Sequence, residues 1–207
     1  MKKIIVAALG LLMLLNLGGC SQDKPQEVKE EIKEEIKENT LLRVRFDENE
    51  EDLLNLLGLF HEVWVYEYQL PQEVKTIQID FMHLLDGEWV EVESGSYDDF
   101  DQLDGKIAIR MNVDETITCM IQNNFESELV TKKFKLMPPS ETYLKKTHSF
   151  LERKETIEIG KPLTLGILCY SNEGTLHTYA PDKYDNVELF EGADFAQAIR
   201  ITFLPEE

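Results

Sequence analysis

Lys106-Ile107-Ala108-Ile109-Arg110-Met111-Asn112-Val113 alternates without a break: Ile107, Ile109, Met111 and Val113 fall on one side, Lys106, Ala108, Arg110 and Asn112 on the other. Successive side chains of an extended chain point to opposite faces, so a period of two reads as a strand with one buried and one solvated face. The same period runs outward in both directions. Upstream it covers Arg43 to Phe46, Val63 to Leu70, Thr76 to His83 and Glu88 to Glu93, the last following Asp86-Gly87, a pair suited to a two-residue hairpin turn. Downstream come Thr116 to Gln122, Val130 to Leu136, Thr156 to Ile159, Leu163 to Tyr170, Leu176 to Tyr179, Val187 to Phe190 and Ala198 to Phe203. Many short alternating strands between polar turns predict an all-β fold, an antiparallel β-sandwich. Two stretches do not fit. Leu53 to Phe60 is apolar with no clear period, and Glu141 to Leu151, shortly after Pro138-Pro139, reads as one or two helical turns.

The architecture expected is immunoglobulin-like or a related sandwich. The buried tryptophan that follows the first core cysteine of a variable-type domain is missing, because Trp64 and Trp89 both precede Cys119. Lys106-Ile107-Ala108-Ile109-Arg110 matches Gln197-Ala198-Ile199-Arg200-Ile201, with Asp99-Phe100 and Asp194-Phe195 ahead of them. This admits an internal duplication into halves of about 41–137 and 140–207, although one shared core over 41–207 is easier to stabilise at this length.

The first forty residues have a different character. Met1-Lys2-Lys3 is a short basic start, Ile4 to Leu15 is apolar, and Leu17-Gly18-Gly19-Cys20 ends the run. This layout resembles the signal peptide and lipobox of bacterial lipoproteins. The resemblance implies that residues 1–19 are removed and that Cys20 takes a diacylglyceryl group and becomes the N-terminus. It further implies an extracytoplasmic protein anchored to the bacterial cell membrane through lipid. Each buried methylene adds about 0.8 kcal/mol of membrane affinity, so two or three chains hold firmly. Residues 20–40 then form a linker. Val28, Ile32 and Ile36 recur every four residues among glutamates and lysines, and Glu30–Lys33 and Glu34–Lys37 are ion pairs at helical spacing. The stripe is too short for a coiled-coil seam, so the reading is a solvated helical stalk.

Twenty-one Lys and Arg face forty Asp and Glu, a formal charge of −19 that becomes −21 once Lys2 and Lys3 leave with the signal peptide. With no basic stripe to displace phosphate counterions, nucleic acid is excluded as a partner. An anionic membrane surface repels such a chain, leaving the lipid as the means of attachment.

No residue pattern selects a reaction. The chain has no G-x-S-x-G, no H-E-x-x-H and no phosphate-binding glycine loop, and its four histidines show no ligand spacing. No cofactor is implied. Cys119 and Cys169 both lie in alternating runs, Ile117-Cys119-Ile121 and Leu165-Ile167-Cys169, and either form a disulfide between strands or remain buried thiols. The acidic loop after Tyr97 offers Asp99, Asp101 and Asp104 to calcium, but counted from Asp99 an EF-hand frame puts Leu103 and Arg110 at ligand positions. Aromatic residues carry the remaining signal. Trp64, Tyr66 and Tyr68 share one strand face, as core or as a ligand platform, and Trp89 falls opposite Val90 and Val92, which are expected in the core. The expectation is a non-catalytic, lipid-anchored module of the cell envelope touching a protein or a glycan through Trp89, Trp64, Tyr66 and Tyr68. The alternative is an extracytoplasmic hydrolase using paired carboxylates.

Overall fold

Trp64, Tyr66 and Tyr68 do share a face, and that face is the centre of the molecule: they are 8%, 0% and 1% exposed. In the computed structural model, which describes residues 39–98, 103–112, 116–123, 129–135, 143–172 and 175–206, two antiparallel sheets close over this row. The chain runs through β1 (Thr40–Arg43), α1 (Glu48–Leu56), β2 (Val63–Gln69), β3 (Val74–Leu85), β4 (Glu88–Tyr97), β5 (Asp104–Met111) and β6 (Thr116–Asn123). It continues through β7 (Leu129–Lys135), β8 (Lys145–Phe150), β9 (Glu155–Thr156), β10 (Leu163–Ser171) and β11 (Phe195–Pro205). One sheet has the order β7-β6-β5-β2-β1-β9 and the other β4-β3-β11-β10-β8. The predicted sandwich is the fold.

The core follows from the alternation. Ile107 and Ile109 of β5, Ile117, Cys119 and Ile121 of β6, and Phe134 of β7 line the first sheet's inner face. They meet Ile77, Ile79 and Phe81 of β3 and Phe195, Ile199, Ile201 and Phe203 of β11. Phe81 stacks on Phe134 with centroids 4.4 Å apart, and Trp64 on Phe150 at 3.7 Å, tying the sheets together at two places. Each such ring contributes apolar burial plus about 0.5–1.5 kcal/mol of stacking.

Strands from before and after residue 138 share both sheets: β3 pairs with β11 and β1 with β9. Ala108-Ile109-Arg110 and Ala198-Ile199-Arg200 lie centrally in different sheets, with Ile109 and Ile199 both facing the core. Asp99-Phe100 lies outside the described residues, as do residues 1–38 with Cys20 and most of the stalk.

Several elements differ from expectation. The segment read as helical over Glu141 to Leu151 contains β8, which hydrogen-bonds to β10 and sends Phe150 inward. Leu176 to Tyr179 and Val187 to Phe190 are not strands. They belong to a 172–194 crossover whose regular parts are 3₁₀ turns at Pro181–Lys183 and Val187–Phe190. This crossover lies on the outer face of the second sheet and makes a second apolar layer there. Tyr184 and Phe190 cover Met82, Ile167, Cys169, Ala196 and Ala198, with Trp89 and Leu84 at the margin. That is why β10 and most of β11 are buried on both faces.

Candidate docking surface

The aromatic row of β2 is buried in the inter-sheet core, which places Trp64, Tyr66 and Tyr68 on the core side of the two readings rather than on a surface platform. The Tyr66 hydroxyl donates to the Leu165 carbonyl at 3.4 Å, and burial pushes both phenols well above their usual ionisation range. Trp89 is half-buried. Its ring stacks on Tyr184 at 4.7 Å, meets Phe190 edge-on at 5.5 Å, and its indole N–H donates to the Tyr184 carbonyl at 2.8 Å. The residue covers the crossover rather than a ligand. Its expected counterparts, Val90 and Val92, are 43% and 46% exposed instead of buried. They sit on an edge strand, beside the register shift that pairs Phe81 with Glu93 and Met82 with Glu91.

Cys119 and Cys169 are free thiols, so the disulfide is corrected. Cys119 belongs to the first sheet's inner face, whereas Cys169 faces the outer layer of the second sheet. A bulge between Thr164 and Gly166 reverses the parity of β10, so Leu165 points inward while Ile167 and Cys169 point outward. Burial pushes both thiols up to about 12, leaving neither as a thiolate nucleophile at neutral pH. Of the calcium candidates, Asp99 and Asp101 lie outside the described residues. Asp104 opens β5 opposite Gln69. Among the described residues no group of three or more His, Cys, Asp or Glu is placed to hold a metal.

A polar cleft of about 160 Å³ opens beside the crossover, lined in part by Arg153, Glu155, Asp182, Tyr184 and Arg200. Two of its acids, Glu155 and Asp182, are paired within it, and Asp185 also lines it. Arg153 reaches Glu155 at 2.5 Å and Asp182 at 3.7 Å, and Arg200 lies over the Tyr184 ring at 4.4 Å with Nη1 donating to its hydroxyl at 3.4 Å. Two carboxylates thus meet across a guanidinium rather than across a space for substrate.

Apolar side chains are also exposed at Leu85, Val90, Val92 and Leu144, but α1 gathers three of them within five residues of one capped helix. Its formation follows from local chemistry. Asp47, in extended geometry, accepts from the Glu50 N–H at 2.9 Å, and Glu50 accepts from the Asp47 N–H at 2.9 Å, a complete capping box. Glu48, Glu50 and Glu51 in the first turn complement the helix dipole. Gly58, at φ +69°, takes the left-handed position that ends the helix. No residue of α1 is buried: Leu53 and Leu56 are 56% and 84% exposed, and Leu57 at the C-cap is 60% exposed. Their spacing of three and four places them on one stripe. On the same geometry Asp52 flanks it on one side and Glu50 on the other. From Phe46 to Phe60 there are five acids and no base. The sequence signal is the apolar run Leu53 to Phe60, whose period is unclear because Leu53, Leu56 and Leu57 face solvent while Leu54, Leu59 and Phe60 are half-buried.

No protein-family model matches the chain, and no curated protein or solved structure matches it. Among the described residues no helix is long and apolar enough to cross a membrane.

Proposed function

We propose that this protein is a lipid-anchored, extracytoplasmic binding module of the cell envelope, without catalytic activity, that contacts a protein partner through α1. The observation that carries the reading is the stripe Leu53, Leu56 and Leu57, held in solvent by a capped helix on a rigid sandwich. Exposing three leucines together costs solvation that folding onto the adjacent sheet could have recovered, and such patches mark interaction sites. The lipobox resemblance supports the anchor. Two further observations favour binding over chemistry: the thiols are sealed in the cores, and two of the cleft carboxylates, Glu155 and Asp182, are held by Arg153. Burial of Trp64, Tyr66 and Tyr68 removes the stacking platform that a glycan would use, so a protein is the better partner.

Two measurements test this. The N-terminal peptide of the membrane fraction should begin at Cys20 and carry diacylglyceryl mass. A photo-crosslinking residue at Leu56 should give a discrete adduct in intact cells, with much less from the same residue at Gln72, an exposed position on another turn. An unmodified Cys20 defeats the anchor, and equal labelling from both positions defeats the docking role.

A further inference from the structure

The docking role proposed above leaves the occupant open, and the charge around the leucines decides it. We infer that α1 binds a cationic amphipathic segment of a partner protein, with apolar residues centred on Leu53, Leu56 and Leu57 and Lys or Arg side chains meeting the acids that flank them.

The stripe alone would accept any apolar surface. Its rim would not. Asp47, Glu48, Glu50, Glu51 and Asp52 give this segment five negative charges, and the nearest bases, Arg43 and Arg45, precede Phe46. Arg43 is already committed, donating to the Val65 carbonyl at 3.1 Å and lying 4.0 Å from Glu152. A second copy of this chain would bring two such acidic rims together, and like charges facing across an interface are penalised. An anionic bilayer is disfavoured for the same reason: helices that lie in membrane interfaces carry Lys and Arg on their polar face, and α1 has none. A partner with the opposite rim gains from both parts of the surface. Its apolar residues at spacings of three and four would meet the leucines as a helix meets an apolar stripe. Its cations would meet Asp52 on one flank and Glu50 on the other. A nine-residue helix is only about 13.5 Å long, so the contact is small, and its affinity will lean on the charges and weaken with salt.

The test uses the full-length chain in phosphatidylcholine nanodiscs and three labelled helical peptides, read by fluorescence anisotropy. One is a Leu/Lys amphipathic helix, one the same composition with its leucines scattered around the helix, and one a Leu/Glu amphipathic helix. The first should bind at least about tenfold more tightly than the other two, and lose most of that advantage between low and high salt. Leu53→Ser with Leu57→Ser should abolish the preference without moving the thermal midpoint, because both side chains face solvent. Asp52→Lys, which leaves the capping box of Asp47 and Glu50 in place, should weaken binding of the Leu/Lys peptide and strengthen that of the Leu/Glu peptide. Equal binding of the scattered peptide overturns the inference, since net charge alone would then explain the attraction. So does a sedimentation dimer dispersed by Leu57→Ser, which makes a second copy the occupant. A Leu56→Trp emission shifted to the blue by the nanodisc alone overturns it in favour of lipid. A crosslink from Leu56 in cells to a partner without a cationic helix overturns this inference and leaves the binding-module reading standing. Absence of both crosslink and peptide binding removes the two together.

Discussion

Gly166 sits at the bulge of β10, facing Phe150 across the ladder. A Cβ there would come 2.5 Å from Phe150 Cε1. The ring has little freedom to retreat, being stacked on Trp64 at 3.7 Å with His148 against its edge. Gly166→Ala is therefore expected to cost about 1–3 kcal/mol through overpacking. Gly192→Ala is the control: its Cβ meets nothing nearer than the Thr175 carbonyl at 3.7 Å, and the change should stay within about 0.5 kcal/mol. Denaturant unfolding of the two variants checks this, and equal losses would refute the role given to Phe150. A second expectation concerns the thiols. Cys119 and Cys169, each 2% exposed or less and raised by burial, should resist iodoacetamide in the native protein and both alkylate once it is unfolded. Rapid native labelling of Cys169 would mean that the outer layer opens readily.

The 172–194 crossover behaves as one element because its aromatics converge on Trp89 and Tyr184. Removing the indole takes away the stack on Tyr184, the edge contact with Phe190 and the hydrogen bond to the Tyr184 carbonyl. Trp89→Ala should cost about 2–4 kcal/mol, below a fully buried tryptophan because one side is solvated. Limited proteolysis should then cut within 175–194 before the sandwich unfolds; simultaneous cleavage of sheet and crossover would mean that they fold as one cooperative unit. This element also marks where reading the sequence stopped working. Alternation identified β2, β3, β5, β6 and β11, because one face of each meets the inter-sheet core and the period of two survives. It misplaced Ile167 and Cys169, because a bulge reverses parity without leaving a sequence signal. It turned Leu176 to Tyr179 and Val187 to Phe190 into strands, because apolar residues covering a sheet from outside can be spaced like those inside one. At β4 it reversed the roles of Trp89 and the valines, since a half-buried outer face looks like a core when the crossover above it is unknown. The helix α1 escapes the alternation for the opposite reason: Leu53, Leu56 and Leu57 face solvent rather than the core. Its two ends carry local signals that alternation does not use, the capping box of Asp47 and Glu50 at the start and Gly58 at the stop, with about 1 kcal/mol riding on the N-cap. Asp47→Ala should accordingly reduce helix content and weaken any partner contact made by Leu56, measurable as faster amide exchange over 50–57; unchanged exchange there would show that the body, not the cap, holds α1.

At the scale of the whole molecule, the large negative charge and a half-buried histidine pull stability in opposite directions as pH falls. Mutual repulsion among forty acidic residues is relieved by carboxylate protonation and by salt. His83 works against this relief. It lies at the inner margin of β3, its Nε2 2.8 Å from Nε2 of the fully buried Gln197 and its ring edge-on to Phe195 at 4.8 Å. Burial lowers its pKa below the ordinary histidine value. Above about pH 6.5 the ring is neutral both folded and unfolded and adds no slope. As pH falls through that value the unfolded chain takes up a proton that the folded chain still refuses. Stability therefore drops across the interval down to the lower, folded pKa and levels out beneath it. His83→Gln keeps a polar side chain beside Gln197 but cannot titrate, so its thermal midpoint should fall less than that of the parent between about pH 7.5 and 5.5 at fixed salt. The slope that remains belongs in part to His148, which packs edge-on to Trp64 and is lowered by burial and by the charge of His61. Carboxylate repulsion is common to parent and variant, so the difference between their pH profiles isolates His83. Parallel profiles would show that Gln197 and Phe195 accommodate the protonated ring without cost.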